Sequence, residues 1–166
     1  MFNADFHLKS VLDINKEFVE KNDVRALILD MDNTLSLHGE PAEEEGVMEW
    51  LNEMRRLDVR MMVVSNNNVK RVAPLAKKLR LKFTANGLKP LTFGVERALK
   101  KMGRGRKYTL VVGDQIFTDI LAGNLAGMRT VLVEPFQMEN IWYIKMKRKI
   151  EEKLFHRDFF DKLPYK

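Results

Sequence analysis

Apolar residues cluster in short runs along the chain, separated by longer stretches with a helical period. The strong runs are VRALILD (24–30), VRMMVV (59–64), YTLVV (108–112) and RTVLVEP (129–135), and a weaker one covers 81–84. Near-continuous apolar runs are typical of strands buried on both faces, as in a parallel sheet, whereas strands with one solvated face alternate. The runs therefore predict a parallel sheet.

Helical periodicity fills the intervals between these runs. Apolar residues recur every three or four positions over 41–57, 69–79, 92–101 and 118–126. Pro74 indicates that the second of these helices starts late or kinks. Strands that alternate with helices predict a doubly wound α/β fold with helices on both faces of the sheet.

The length of 166 residues suits a single domain over 1–166. We place its core at 24–135, between an N-terminal lead-in at 1–22 and a basic helical tail at 136–166. The tail carries aromatic residues before a run of Lys and Arg. Such a helix either lies on an anionic bilayer or packs its apolar face on the domain, and the sequence leaves both open.

Polar side chains follow four of the predicted strands at the point where each strand ends. They are Asp30, Asp32 and Thr34 after the first strand, Ser65 and Asn66 after the second, Lys89 after the weak third, and Asp114 and Asp119 after the fourth. In a doubly wound sheet, the carboxyl ends of the strands line the crevice that binds ligands. We therefore expect these side chains to converge on one site.

Converging carboxylates repel one another unless a cation lies among them. Oxygen ligands without cysteine or clustered histidine favour a hard ion such as Mg²⁺. Lys89 and the Ser65 hydroxyl suit the oxygens of a phosphate group, and phosphoryl transfer needs mainly positioning and neutralisation of charge. An ionised Asp30 can attack phosphorus without a base, while Asp32 can protonate the leaving alkoxide and later accept a proton from water.

The same residues resemble the four motifs of the haloacid-dehalogenase (HAD) superfamily of phosphotransferases. The matching segments are DMDNT at 30–34, Ser65 at a strand end, Lys89 in GLKP, and GDQIFTD at 113–119. All four occur in the family's order, and the resemblance covers 24–135. It implies a Rossmann-like core and a phosphatase or phosphotransferase activity.

The resemblance also implies a role for each site residue. Asp30 matches the nucleophile and Asp32 the general acid and base. From the residues themselves we expect Ser65 and Lys89 to hold the phosphate, with a backbone amide lent by Asn66. The matching ligands of Mg²⁺ are Asp30, the carbonyl of Asp32, and Asp114. Asp119 and Thr34 match supporting positions.

The spacing of the motifs predicts a protein without a cap domain. Ser65 follows Asp30 by 35 positions and Lys89 follows Ser65 by 24, which is enough for one βα unit in each interval. The chain is thus similar to the capless subfamily IIIA, and its strings ILDMDNTL, SNN, KP and GDQ resemble the YqeG-like branch. That resemblance implies phosphatidylglycerophosphate, whose phosphate lies on a lipid head group, as the substrate.

Charge is distributed unevenly along the chain. Residues 66–112 carry 13 Lys and Arg and one acid, Glu96, whereas residues 1–65 carry 7 basic and 14 acidic residues. The basic stretch either serves solubility or attracts an anionic partner. We expect it to lie near the site and to help the protein contact a membrane peripherally. Interleaved aromatic residues are few, so nucleic acid is not an expected partner.

Composition excludes several kinds of chemistry. The chain has no cysteine, so it forms no disulfide, thiol nucleophile or cysteine metal site. No apolar run approaches the ~18 residues of a membrane span, and the polar N-terminus lacks the pattern of a secretory signal. We expect a cytoplasmic protein that can lie at the inner face of the membrane. The sequence indicates no particular oligomeric state.

Three other functions stay open from the sequence. The first is a phosphatase for a soluble sugar phosphate, nucleotide or phosphoprotein. The second is a phospho-accepting signalling domain of the receiver type, although its acceptor would follow the third strand, where this chain has Lys89 and no acid. The third is a non-catalytic membrane or nucleic-acid binding module, which would not need Asp30 and Asp32.

Overall fold

The computed structural model describes residues 1–36 and 43–135, which form a parallel sheet with helices on both faces. Its strands are β1 (Phe6–Leu8), β2 (Ala26–Leu29), β3 (Arg60–Val64), β4 (Lys82–Thr84), β5 (Thr109–Gly113) and β6 (Arg129–Val133). Their order in the sheet is β1-β6-β5-β2-β3-β4, and every neighbouring pair is parallel. This architecture confirms the predicted doubly wound fold.

Four of the five helices occupy the predicted intervals between the strands, and the first lies in residues 1–22, where no helix was predicted. They are α1 (Lys16–Lys21), α2 (Val47–Arg56), α3 (Val69–Lys78), α4 (Phe93–Met102) and α5 (Leu121–Leu125), with 3₁₀ turns at Val11–Asp13 and Arg106–Tyr108 and a π-helical turn at Ile116–Ile120. Helix α3 begins at Val69 despite Pro74 in its interior. Pro74 lies on the exposed face, where water can satisfy the carbonyl that loses its N–H partner.

Two apolar cores lie on opposite faces of the sheet. Strand β2 is buried along its whole length, and its successive side chains point to alternate faces. Leu27 and Leu29 pack with residues of α2 and α3, whereas Ala26 and Ile28 pack with residues of α4 and α5. Burial of each Leu or Ile contributes about 1.5–3 kcal/mol. Because helices cover both faces of this strand, its sequence is a continuous apolar run.

The strand order reverses between β2 and β5, and this reversal positions the site. From β2 the chain proceeds through β3 to β4 on one side, and from β5 it proceeds to β6 on the other. The backbone N–H of Asp30 donates to the carbonyl of Val112 over 2.9 Å, so the two strand ends are level. The crevice at such a reversal is where doubly wound folds bind ligands.

The N-terminal segment is part of the core, which corrects our placement of residues 1–22 outside it. Strand β1 pairs with β6 from Phe6↔Val131 to Leu8↔Val133. Val11, Ile14 and Val19 are buried in the larger apolar cluster. The strand has only three residues, two half-buried and one exposed, and so short a pattern gives no recognisable period.

Among the described residues, the interval between the first and second motifs contains one helix, α2, and the interval between the second and third motifs contains one helix, α3. This is what a protein without a cap domain requires. The described residues form one compact unit. The predicted basic tail at 136–166 lies outside the described residues. Within the described ranges, we find no helix long and apolar enough to cross a membrane.

Candidate active site

Three carboxylates from two adjacent strand ends meet in the crevice. Asp30 follows β2, Asp114 follows β5, and Asp119 lies in the π-helical turn beyond it. One oxygen from each lies within 4.8 Å of an oxygen of the others, and all three residues are at most 9% exposed. The structure therefore brings together the three acids that the strand-end argument predicted to converge.

The carboxylate cluster has the donors that a divalent cation requires. Within the described residues, Asp114 Oδ1 is buried and has no hydrogen-bond partner. Leaving a buried carboxylate oxygen unpaired is costly, and a bound cation would remove that cost. The oxygen-only donors suit a hard metal ion.

Lys89 lies against the same cluster. Its Nζ donates to Asp30 Oδ1 over 2.6 Å and to Asp119 Oδ1 over 2.5 Å, and its side chain is only 4% exposed. Burial by itself lowers the pKa of the Lys89 ammonium, but the carboxylates of Asp119 and Asp30 outweigh burial and hold this pKa above its usual range. Lys89 is therefore a fixed positive charge in the site.

Burial also changes the acidity of two carboxyls. Burial first, and then the charge of Asp119, raise the pKa of Asp30 to about 7, although Lys89 opposes this shift. Burial, Asp30 and Asp119 raise the pKa of Asp114 to about 8. Without a bound cation, the positive charge of Lys89 is thus not enough for all the carboxyls of the site to be ionised near neutral pH.

Asn66 holds the loop that carries Lys89. Its Nδ2 donates to the Lys89 carbonyl over 2.9 Å, and the Lys89 N–H donates to Asn66 Oδ1 over 2.8 Å. We predicted that Asn66 would lend a backbone amide to the phosphate. Its side-chain amide is engaged by the backbone of Lys89, so only its backbone N–H could make that contact.

Ser65 and Thr34 are both buried beside the strand ends. The Ser65 hydroxyl oxygen accepts from the N–H of Asn67 over 3.1 Å, which leaves its hydrogen available for donation. The Thr34 hydroxyl has no hydrogen-bond partner among the described residues. Thr34 follows Asn33, which has a left-handed backbone (φ +60°), a conformation that Asn tolerates better than most residues.

Asp32 lies at the mouth of the site and is held by two residues that the sequence analysis missed. Asn67 Nδ2 donates to Asp32 Oδ2 over 2.6 Å, and Arg71 Nη2 donates to Asp32 Oδ1 over 3.3 Å. Asn67 follows the Ser65 motif directly, and Arg71 lies in the first turn of α3. A polar run between a strand end and a helix was the only signal that could have indicated them.

Gly113 allows Asp119 to approach the end of β5. A Cβ at Gly113 would lie 2.2 Å from Asp119 Oδ2 and 2.5 Å from Asp119 Cβ, so no larger residue fits without moving that carboxylate. The Gln115 N–H donates to Asp119 Oδ2 over 3.2 Å and holds it from the other side. The glycine of the fourth motif is therefore a packing requirement for Asp119.

Most of the basic stretch lies at the edge of the sheet opposite the site, contrary to our expectation. Seven of its residues belong to the last turn of α4, to the segments that lead into β4 and β5, or to the first position of β4: Arg80, Lys82, Lys100, Lys101, Arg104, Arg106 and Lys107. Because the strands are parallel, these segments lie at the amino ends of the strands. A five-residue strand separates the two edges by about 16 Å.

The comparisons with known proteins agree with this geometry. A family profile described as HAD-hydrolase-like matches residues 88–135, which include Lys89 and the fourth motif. The chain is 31% identical over 153 residues to the Probable phosphatase YqeG of Bacillus subtilis (strain 168), covering 92% of this chain and 89% of that relative.

Solved structures support the fold. NagD from E. coli K-12 is similar with a TM-score of 0.56 at 14% identity, covering 66% of this chain and 87% of NagD. The cobalt-bound deoxy-D-mannose-octulosonate 8-phosphate phosphatase YrbI of Haemophilus influenzae is similar with a TM-score of 0.52 at 13% identity, covering 81% of this chain and 94% of YrbI. Together with the YqeG match and the four motifs at the strand ends, the fold shows that the chain belongs to the HAD-like hydrolases, in the family of YqeG-like phosphatases.

Proposed function

We propose that the chain is a Mg²⁺-dependent phosphomonoester hydrolase that works through a phosphoaspartate on Asp30. The observation that carries this proposal is the contact of Lys89 Nζ with Asp30 and Asp119, beside the unpaired oxygen of Asp114. This arrangement combines a carboxylate nucleophile, a buried positive charge and a set of metal donors in one crevice. Phosphoryl transfer depends mainly on positioning and on neutralisation of charge, which these groups would provide.

The ligands proposed for Mg²⁺ are Asp30, Asp114 and the backbone carbonyl of Asp32, with Asp119 beside them. Bound there, Mg²⁺ would supply positive charge that favours ionised carboxylates and offsets the charge of the phosphoryl oxygens. Lys89 adds a second positive charge from the protein. The Ser65 hydroxyl and the backbone N–H groups of Met31 and Asp32 would donate to the remaining phosphoryl oxygens, since the N–H groups of residues 33–36 already donate within the turn.

The first chemical step transfers the phosphoryl group to the protein. A carboxylate oxygen of Asp30 attacks phosphorus in line, a new O–P bond forms, and the ester P–O bond breaks. Asp32 gives its proton to the departing alkoxide. Asn67 orients Asp32 through the 2.6 Å hydrogen bond to Oδ2.

The second step releases inorganic phosphate. Asp32, now ionised, accepts a proton from a water molecule, which attacks the phosphorus of the phosphoaspartate. The bond between phosphorus and the Asp30 oxygen breaks. The step regenerates the Asp30 carboxylate and the protonated Asp32.

The substrate that we propose is phosphatidylglycerophosphate or a similarly exposed phosphate. Support comes from the described intervals between the motifs, each with one helix, which leave the crevice accessible to a large or membrane-held molecule. Activity on a lipid head group would place the protein at the inner face of the membrane. The alternative is a soluble small-molecule, nucleotide or protein phosphate.

Release of phosphate from phosphatidylglycerophosphate in mixed micelles tests this proposal. Wild type, Asp30→Asn and the control Asp58→Asn, which changes an exposed acid at the opposite edge, are compared with Mg²⁺ or EDTA. We expect hydrolysis that requires Mg²⁺ and Asp30 but not Asp58. Hydrolysis of soluble phosphates alone would contradict the lipid substrate and retain the mechanism, whereas turnover that is independent of Asp30 would contradict the mechanism.

A further inference from the structure

Arg71 lies beside Asp32 at the solvent side of the site. It belongs to the first turn of α3, and its Nη2 donates to Asp32 Oδ1 over 3.3 Å. The side chain of Arg71 is 41% exposed, whereas that of Asp32 is 14% exposed. The other Asp32 oxygen accepts a shorter hydrogen bond, of 2.6 Å, from Asn67 Nδ2. Asn67 is therefore the closer support of Asp32, and Arg71 extends the positive charge of the site towards solvent.

The stability of α3 does not explain an arginine at this position. The amino end of a helix is the positive end of its dipole, so a cation in the first turn is unfavourable there. The first turn of α3 contains no acid, and the lysines of its last turn, Lys77 and Lys78, lie at the favourable end. A long, exposed ion pair such as that of Arg71 with Asp32 contributes little to stability. Arg71 is better explained by what its guanidinium can bind.

The guanidinium of Arg71 retains donors for a further acceptor. It donates to Asp32 through Nη2, and among the described residues neither its Nη1 nor its Nε forms a hydrogen bond. The acid Glu43 is paired with Lys78 over 2.7 Å, and the exposed Glu45 forms no ion pair with Arg71 in the described part of the chain. A guanidinium with free N–H groups can bind a carboxylate or a phosphate through two parallel hydrogen bonds. Arg71 therefore has both the charge and the donors to bind an anionic group.

The leaving group of the substrate must extend past Asp32. In an in-line displacement, the ester oxygen departs on the side of phosphorus opposite the attacking oxygen of Asp30. In the proposed mechanism Asp32 donates to that departing oxygen, so the two oxygens are then about 2.7 Å apart. Since Arg71 is 3.3 Å from the same carboxyl group, its guanidinium lies about 5–8 Å from the departing oxygen. An anionic group about two or three carbons along the leaving group is within its reach.

We propose that Arg71 binds a second anionic group on the leaving group, so that the site prefers phosphomonoesters with another phosphate or a carboxylate about two or three carbons from the ester oxygen. This proposal rests on the proposed phosphatase function and adds to it the requirement that the leaving group be anionic. The requirement concerns charge and distance, so soluble bisphosphates, phosphorylated hydroxy acids and a lipid head group with a phosphodiester each meet it. Arg71 is then a residue that determines the specificity of the site.

Hydrolysis of substrates that differ in one group tests the proposal. Glycerol 1,3-bisphosphate and 3-phosphoglycerate carry a second anion, and glycerol 3-phosphate has a hydroxyl in its place. Phosphatidylglycerophosphate in mixed micelles presents the lipid form. Wild type, Arg71→Ala, Arg71→Lys and the control Lys70→Ala, which changes an exposed cation of the same helical turn, are compared with Mg²⁺.

The measured quantity is the ratio of kcat/KM for glycerol 1,3-bisphosphate to kcat/KM for glycerol 3-phosphate. We expect Arg71→Ala to lower this ratio about tenfold or more, mainly through KM, because an interaction with the bound substrate is lost. An effect of the substitution on Asp32 acts on both substrates and cancels in the ratio. Arg71→Lys should restore part of the preference, since it keeps the charge without the planar fork. Lys70→Ala should keep the ratio within about twofold of wild type.

Binding of unreactive analogues provides a measurement that does not depend on turnover. The analogues are 4-phosphonobutyrate and butylphosphonate, which both have carbon in place of the ester oxygen, and only the first carries a carboxylate. In titration calorimetry with Mg²⁺, wild type and Lys70→Ala should bind 4-phosphonobutyrate roughly tenfold more tightly than butylphosphonate. Arg71→Ala should bind the two analogues with affinities within about twofold of each other. Equal affinities of wild type for the two analogues would overturn the proposal.

The outcomes separate this proposal from the phosphatase function. If the esters are hydrolysed with dependence on Asp30, but Arg71→Ala leaves the ratio unchanged or Lys70→Ala lowers it equally, the role of Arg71 is wrong and the phosphatase function stands. If wild type hydrolyses neither these esters nor p-nitrophenyl phosphate, the phosphatase function fails, and binding of the analogues decides the role of Arg71. A dependence on Arg71 with the soluble anionic esters supports the proposal for free substrates, and one confined to phosphatidylglycerophosphate supports it for a lipid phosphodiester.

Discussion

Asn66 and Lys89 are joined by two reciprocal hydrogen bonds between a side-chain amide and a backbone amide, over 2.9 and 2.8 Å. The two asparagines that follow make different contacts. Asn67 donates to Asp32 over 2.6 Å, and Asn68 caps α3 by accepting from the N–H of Arg71 over 3.1 Å. Three identical adjacent residues thus hold Lys89, Asp32 and the start of α3, and each contact has its own measurable consequence.

Replacing Asn66 by Ala should lower kcat/KM about tenfold, because the loop that positions Lys89 loses two hydrogen bonds. Asn68→Ala is the matched control. It removes only the helix cap, so it should lower the free energy of unfolding by about 1 kcal/mol and change kcat/KM little. Steady-state kinetics and urea denaturation of both variants measure these effects. Equal losses of activity in the two variants would contradict the role assigned to Asn66.

Replacing Asn67 by Ala should lower kcat more than it raises KM, because Asp32 acts in both chemical steps and loses its closest hydrogen-bond donor. Arg71→Ala should have a smaller effect, since this ion pair is longer and the Arg71 side chain is 41% exposed. The two variants are compared by kcat and KM on p-nitrophenyl phosphate at constant ionic strength. A larger loss of kcat for Arg71→Ala would show that Arg71, rather than Asn67, orients Asp32.

The sequence predicts the strands and the strand-end residues because both depend on local patterns. The run from 24 to 30 is apolar on every position that the sheet buries, and Asp30 ends it. The contact of Asn67 with Asp32 could not be predicted, since it depends on how the loop after β3 lies relative to the loop after β2. The three-residue strand Phe6–Leu8 was missed because its paired residues in β6 are 125 positions away and no local period marks it.

Replacing Gly113 by Ala should reduce activity by roughly a hundredfold, because the new methyl group occupies the space of the Asp119 carboxylate. The control is Gly105→Ala, whose Cβ would lie 3.1 Å from a ring atom of Tyr108 at the opposite edge and should leave kcat within about twofold. Activity is measured across a range of Mg²⁺ concentrations. If Gly113→Ala keeps wild-type activity at every concentration, the position of Asp119 is not important for the reaction.

The metal-free protein should lose stability as the pH rises. The pKa values of Asp30 and Asp114 in the folded protein, about 7 and about 8, lie above the ordinary value of 3.8. Folding therefore favours the protonated carboxyls. Their stabilising contribution is complete below the ordinary value and is lost as the pH rises through about 8.

Melting temperatures in EDTA between pH 5 and pH 8.5 test this dependence. Asp114→Asn should flatten the decline and melt above wild type at the alkaline end, because one buried ionisation is removed. Mg²⁺ should raise the melting temperature of wild type more at pH 8 than at pH 5, since binding requires ionised ligands. A metal-free protein that becomes more stable over this range would contradict the assignment of these two groups.

The number of basic residues along the chain does not predict where they lie in the folded protein. The stretch at 66–112 is strongly basic. The loops that lead into β4 and β5 and the loops that follow the strands lie at opposite edges of the sheet, and no local pattern in the sequence indicates this. Only the strand order makes that separation visible. Arg106 illustrates it, because it lies in the turn that leads into β5, where it donates to the carbonyl of Ala126.

The proposed mechanism depends on a phosphoaspartate at Asp30, and trapping this intermediate tests the mechanism directly. With p-nitrophenyl phosphate, whose leaving group needs no acid, an Asp32→Asn variant should transfer the phosphoryl group but release it slowly. Acid quenching followed by peptide mass spectrometry should then find phosphate on Asp30 in this variant and none in the double variant with Asp30→Asn. Phosphate on another residue, or wild-type turnover by Asp30→Asn alone in the presence of Mg²⁺, would contradict the account.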